Sequence, residues 1–204
     1  MHGVGAATTV NSGGTLQLSG TGGDQIYSGV TVTVNSGGVF DANGLSEGLT
    51  SLALNGTGIS GSGALVNSAA STTSTLTCTF PLGADTSIGG AGNLTLTGVM
   101  SGAHALTYLG NGILTLSSAN TFTLGLTINA GSTVLLNAAA GAGTGTVTIN
   151  GNGILKLNAA VVFANTITGG ATSVITVSTA SGNTSMTGDL STFKIGRASC
   201  RERV

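Results

Sequence analysis

A short corner motif recurs along the chain and constrains the fold more than any other feature. Val10-Asn11-Ser12-Gly13-Gly14-Thr15-Leu16-Gln17-Leu18 aligns without gaps on Val34-Asn35-Ser36-Gly37-Gly38-Val39-Phe40-Asp41-Ala42. It aligns again on Ile128-Asn129-Ala130-Gly131-Ser132-Thr133-Val134-Leu135-Leu136 and on Ile149-Asn150-Gly151-Asn152-Gly153-Ile154-Leu155-Lys156-Leu157. One weaker copy follows Leu54-Asn55-Gly56, another is Gly92-Asn93-Leu94-Thr95-Leu96, and a third is Gly110-Asn111-Gly112-Ile113-Leu114-Thr115-Leu116. The spacing is about 20 to 24 residues, and a fixed period in that range marks a solenoid, propeller or array.

Inside each copy the period is two. Val32, Val34, Phe40 and Ala42 are expected on one face, with Thr31, Thr33 and Asp41 on the other. Val147, Ile149, Leu155 and Leu157 alternate with Thr148 and Lys156 in the same way. Alternation of β-branched residues with threonine reads as strand, and Asn-x-Gly-Gly reads as a tight corner because Asn and Gly tolerate positive φ. No stretch carries a 3.6-residue period. Two strands joined by such a corner cannot bury their apolar faces alone, whereas stacked coils give every strand a hydrogen-bonded neighbour. The expected fold class is therefore all-β, a β-solenoid with coils of about 20–24 residues. Eight or nine coils at about 4.8 Å per strand spacing would make a rod roughly 40 Å long.

Composition suits that stack. Charged residues are 5% of the 204-residue chain, Gly is 36, Pro 1 and Trp 0. Like side chains stack at one strand spacing in a solenoid, where adjacent like charges repel, while Asn and Thr can form hydrogen-bonded ladders. So few basic residues also argue against a nucleic-acid partner. No segment reaches the 18 or so apolar residues of a membrane helix; the longest strongly apolar run is 159–164.

Charge changes abruptly near the end. Lys156 is the only basic residue before Lys194, Arg197, Arg201 and Arg203. The segment Ile195-Gly196-Arg197-Ala198-Ser199-Cys200-Arg201-Glu202-Arg203-Val204 resembles one reading frame of a common sequencing adapter, with Lys194 as junction. The expectation is a folded body over 1–193 and a read-through artefact over 194–204. Without Cys200 only Cys78 remains, so no intramolecular disulfide is expected. The start has no basic region followed by an apolar stretch, and the expectation is an internal fragment of a longer chain.

The run Leu106-Thr107-Tyr108-Leu109-Gly110-Asn111-Gly112-Ile113-Leu114-Thr115-Leu116-Ser117-Ser118-Ala119-Asn120-Thr121-Phe122-Thr123, continuing to Leu126-Thr127-Ile128-Asn129-Ala130-Gly131, closely resembles the autotransporter-associated β-strand repeat. Gly110, Gly112, Leu114, Thr115, Leu116, Ser117, Ala119, Asn120, Thr121, Asn129, Ala130 and Gly131 carry the match. Tyr108 stands where the family usually has lysine, Phe122 where it has tyrosine, and Leu124 where a glycine is common. The resemblance implies a right-handed single-stranded β-helix in the passenger region of a bacterial autotransporter. It also implies a cell-surface location, export through the outer membrane of a Gram-negative bacterium, and a C-terminal β-barrel translocator of the parent chain as partner. The implied role is a stalk that aids passenger transport and folding, with no catalytic residues.

A search for chemistry turns up little. The carboxylates of the body are Asp24, Asp41, Glu47, Asp85 and Asp189. Asp24 and Asp41 stand closest to one coil apart, and a paired-carboxylate site of the glycosidase type would need them in one groove. The bland reading, solvated surface or corner residues, is the better one. His2, His104 and Cys78 lack metal or nucleophile spacing. Cys78, alternating with threonine, reads as a small core hydrophobe. Gly22-Gly23-Asp24-Gln25-Ile26 faintly resembles a calcium-binding nonapeptide, a chemistry that needs stacked copies. The pairs Thr31/Thr33, Thr95/Thr97 and Thr146/Thr148 could form an ice-binding array only in strict register. No residue is assigned a catalytic, cofactor-binding or metal-ligating role, and no cofactor is expected.

Three functions follow as expectations: a non-catalytic stalk, an adhesin binding host or abiotic surfaces through the solenoid flank, and a polysaccharide-degrading solenoid enzyme. An exposed apolar or aromatic stripe favours the adhesin. Two carboxylates within about 10 Å in a groove favour the enzyme.

Overall fold

The computed structural model describes residues 7–21, 25–158, 162–178 and 184–193. The tail 194–204, His2, Gly22, Gly23, Asp24 and residues 159–161 of the apolar run lie outside the described residues.

The strands, numbered in chain order, stack into a parallel β-solenoid of about eight coils. One sheet runs β1 (Thr8–Val10), β3 (Thr31–Val34), β5 (Glu47–Leu54), β7 (Thr73–Pro81), β9 (Asn93–Leu96), β12 (Ile113–Leu116), β14 (Thr133–Leu136), β16 (Ile154–Leu157) and β19 (Val174–Val177), hydrogen-bonded in that order. The second runs β2 (Thr15–Gln17), β4 (Val39–Asp41), β6 (Leu65–Asn67), β8 (Thr86–Gly90), β11 (Leu106–Tyr108), β13 (Leu126–Ile128), β15 (Val147–Ile149) and β18 (Ile167–Gly169). The short strands β10 (Met100–Ser101), β17 (Val162–Phe163) and β20 (Ser185–Met186) add a third side, β10 pairing with the end of β7 and β17 with β20.

Register follows the repeat. Thr8 lies beside Val32, Thr73 beside Asn93, and Ile113 beside Thr133. The interior is a set of columns of like residues. Leu94, Leu114, Val134 and Leu155 stack in one, Leu96, Leu116, Leu136 and Leu157 in the next. The second sheet contributes Phe40, Leu65, Ile88, Tyr108, Ile128 and Ile149. All of these are buried, and each full burial of such a side chain contributes about 1.5–3 kcal/mol. The expected inward faces are therefore correct: Val32, Val34, Phe40 and Ala42 are fully enclosed, as are Val147 and Leu155.

The corners close as the sequence suggests. The Gly14 amide donates to Asn11 O at 2.9 Å, Gly38 to Asn35 O at 2.8 Å, and Gly153 to Asn150 O at 2.9 Å. Gly37 (φ +80°) and Gly131 (φ +81°) take the left-handed conformation that the turn needs. Two ladders stand on the corners: Asn35 Nδ2 donates to Asn11 Oδ1 at 3.0 Å, and Asn150 Nδ2 to Asn129 Oδ1 at 3.3 Å.

These are two different corners. After Val10 and Val34 the chain passes from the first sheet to the second; after Ile128 and Ile149 it passes from the second to the first. The exchange falls at the long strands β5 and β7. There Glu47 lies beside Leu76 but Ser51 beside Thr79, the register slipping across a bulge between Gly48 and Ser51. Beyond it Phe80 starts the third side beside Met100, which continues through the buried Phe122 and Phe163. Leu124, the residue at odds with the repeat, is exposed, and the next residue, Gly125 (φ +99°), makes the turn. The departure thus leaves the corner intact.

Candidate functional site

The chemistry-bearing side chains serve mainly as staples between coils. Asp41 is 4% exposed although it alternates with the inward Phe40. Its Oδ2 accepts from Gln17 Nε2 in the coil before (2.7 Å) and Ser68 Oγ in the coil after (2.7 Å); its Oδ1 accepts from the Asn43 and Ser68 amides. Burial pushes its acidity down, but these hydrogen bonds outweigh that and hold the carboxyl below its usual value. The expectation of a solvated carboxylate at position 41 is corrected: Asp41 is an enclosed hub. Asp24, its suggested partner, lies outside the described residues.

Asn120, carried in the repeat-like run, is a second hub. Its Oδ1 accepts from the Met100 amide at 2.8 Å and its Nδ2 donates to Gly141 O at 2.6 Å, so one amide spans three coils. Ser132, Asn165 and Ser173 donate to carbonyls one coil away in the same manner. Tyr108, in the column between Ile88 and Ile128, donates to Gly112 O at 2.9 Å, and burial raises its hydroxyl pKa to about 12.

Glu47 is the other buried carboxylate, also 4% exposed and likewise not a solvated surface group. Its Oε2 accepts from the Gln25 and Ile26 amides (2.7 and 3.1 Å), and its Oε1 from the Gly48 amide (3.1 Å). The first half of β5 has no ladder neighbour in β3, which begins beside Ser51. The carboxylate docks the 25–26 backbone against that edge; Gly22, Gly23 and Asp24, the rest of the stretch considered as a calcium-binding nonapeptide, lie outside the described residues. Around it the bulge opens a shallow depression lined by Ser28, Ser46, Glu47, Gly48, Thr75 and Thr77.

Elsewhere the solenoid brings together residues that the sequence separates. His104 Nδ1 lies 3.6 Å from Asp85 Oδ1, one coil apart on the surface. Asp189 is exposed and accepts from the Ser191 amide, which lowers its pKa. Cys78 is buried and its thiol pKa is pushed up to about 12 by desolvation, in keeping with a core role. Among the described residues, no three or more His, Cys, Asp or Glu side chains gather into a metal-holding group. No helix among them is long and apolar enough to cross a membrane.

The threonine pairs fall on different sheets. Thr95 stands between Thr75 and Thr115 on the first, in a column that Leu135 and Lys156 interrupt. Thr148 stands between Thr127 and Thr168 on the second, with Thr168 Oγ1 donating to it at 3.2 Å. The flank's exposed large apolar residues are Tyr27, Ile59, Val99, Leu124, Val162, Val174 and Val177, spread over several coils. No family model matches the chain, and no curated protein or solved structure matches it either.

Proposed function

We propose that this chain is a non-catalytic structural segment of a surface-exposed bacterial autotransporter passenger, a stalk that aids export and folding through the outer membrane. The observation that carries the reading is the use made of polar side chains. Asp41, Asn120, Ser132 and Ser173 are spent on joining one coil to the next. A rod built this way gains stability from nearest-neighbour contacts alone, so each coil can fold onto the last as it emerges. That is the property a passenger needs when it crosses a membrane unfolded. The resemblance of residues 106–131 to the autotransporter-associated repeat points the same way, and with it come the β-barrel translocator as partner and the cell surface as location.

The test is a display experiment. Residues 1–193 are placed between a secretory signal and a translocator β-barrel in a Gram-negative host, with a reporter at the distal end. The expected result is a reporter open to external protease, reaching the surface faster with the solenoid than with a flexible linker of equal length. Retention in the periplasm, or equal rates for solenoid and linker, would overturn the reading.

A further inference from the structure

We propose that Asn111 is a site of spontaneous covalent modification: the fold holds every other Asn-Gly pair and leaves this one open to conversion into aspartate and isoaspartate. The pair occurs five times, beginning at Asn43, Asn55, Asn111, Asn150 and Asn152. In such a pair the glycine nitrogen can attack the asparagine side chain, because glycine has no Cβ to shield it. Four pairs are restrained. Asn43 Nδ2 donates to Leu18 O at 3.0 Å, and the Gly44 amide donates to Asn67 Oδ1 at 2.8 Å. Asn55 Nδ2 donates to Val34 O at 2.8 Å, ahead of a buried Gly56. The Gly153 amide donates to Asn150 O at 2.9 Å. That bond engages the nucleophile of the Asn152 pair and pins the peptide of the Asn150 pair. Asn150 Nδ2 is also tied to Asn129 Oδ1 at 3.3 Å.

Asn111 differs. Its side chain is exposed and makes no hydrogen bond among the described residues, and neither does the Gly112 amide. The Asn111 N–H donates to Gly90 O at 2.9 Å, which anchors the residue without engaging the reacting atoms. The glycine is imposed by packing, since a Cβ at 112 would run into the Gly92 carbonyl in the coil below.

The chemistry needs only water and hydroxide. Gly112 N loses its proton to hydroxide and bonds to Asn111 Cγ. The Cγ–Nδ2 bond breaks, and the side-chain nitrogen leaves as ammonia with a proton taken from water, which restores the hydroxide. One water then opens the cyclic imide. Opening at the new Cγ–N bond gives aspartate. Opening at the original C–N bond gives isoaspartate, whose main chain is one atom longer. That atom falls at the corner between β11 and β12. Gly112 O accepts from the buried Tyr108 hydroxyl at 2.9 Å, and the Ile113 amide donates to Asn93 Oδ1 at 2.8 Å. Both bonds depend on where residue 112 sits. Isoaspartate at 111 therefore loosens the start of β12 and takes the acceptor from a buried hydroxyl. The inference does not rest on export or on the stalk role.

The whole chain is incubated at mildly alkaline pH, once folded and once in urea. It is then digested for mass spectrometry, with isoaspartate told from aspartate by electron-transfer fragmentation. In the folded chain Asn111 should convert about tenfold or more faster than Asn43, Asn55, Asn150 or Asn152, a barrier difference of about 1.4 kcal/mol. In urea the five rates should draw together. Hydrogen exchange in β11 and β12 should quicken in the aged protein but not in equally aged Asn111→Gln, whose longer side chain closes the ring far more slowly. A folded chain in which Asn111 converts no faster than the restrained pairs overturns the proposal. So does an equal lead for Asn111 in urea, which would make the local sequence and not the fold its cause.

Discussion

Asn120 and Gly141 are joined by the shortest of the buried side-chain amide contacts, Nδ2 to O at 2.6 Å, while the same Asn120 side chain receives the Met100 amide from the coil below. The exposed ladder pair Asn35–Asn11 has similar chemistry but keeps access to water. The two therefore differ in what a deletion leaves behind. Asn120→Ala strands a buried N–H and a buried C=O, and the expected cost is about 2–5 kcal/mol. Asn35→Ala lets water replace the lost partner, and the expected cost is under about 1 kcal/mol. Urea denaturation of the two variants measures the difference directly; equal losses would mean that the amide at 120 contributes only as packing.

Ser74 occupies an inward position in register with Leu94 and is fully buried, yet its Oγ finds no hydrogen-bond partner among the described residues. A buried hydroxyl without a partner costs about 1–3 kcal/mol. Ser74→Ala removes the hydroxyl with little change in volume, and stability should rise by about 1 kcal/mol. Thermal unfolding checks this, and a fall in midpoint would show that the hydroxyl has a partner after all.

How far the sequence reaches can be judged residue by residue. Val147, Thr148 and Ile149 declare a strand because inward and outward faces alternate within three residues. The third side was not legible. Met100 and Phe163 sit in two-residue strands and Phe122 lies outside any strand, so none of these segments is long enough to show a period, and only the coil offset lines them up. The corner motif specifies strand, tight turn and strand but not which sheet comes first, so copies at 11 and 129 align perfectly while standing on different corners. Asp85 and His104, or Asp41 and Ser68, meet only once the coil length at that point is known, and the lengths vary across the bulge.

Asp41 makes stability depend on pH. Its folded pKa lies below the usual carboxylate value because the bonds from Gln17, Ser68 and Asn43 favour the ionised form. A depressed folded pKa gives stability that is fully present above the unfolded value, near 3.9, and lost as pH falls through the folded one. The chain should therefore hold a flat urea midpoint from neutral pH down to about 5 and weaken below about 4. Asp41→Asn should be less stable at neutral pH and show a shallower acid decline. If the decline is as steep without the carboxylate, the acid-sensitive group lies elsewhere.

Gly98 and Gly131 separate two reasons for a glycine. A Cβ at 98 would run into the carbonyl oxygen of Cys78 in the coil below, a backbone atom fixed by the ladder. A Cβ at 131 meets nothing within 4 Å, and only the positive φ of +81° resists it. Gly131→Ala is then expected to cost about 1–2 kcal/mol, the strain of a left-handed alanine. Gly98→Ala forces two neighbouring coils apart and should cost more than about 3 kcal/mol, or prevent folding at that junction. Because coils stabilise only their neighbours, hydrogen exchange should quicken first in β7, β9 and β10 in the Gly98 variant, while strands at the far end, such as β1 and β2, stay protected. Uniform loss of protection along the rod would mean that the solenoid unfolds as one unit, and that the nearest-neighbour description fails for it.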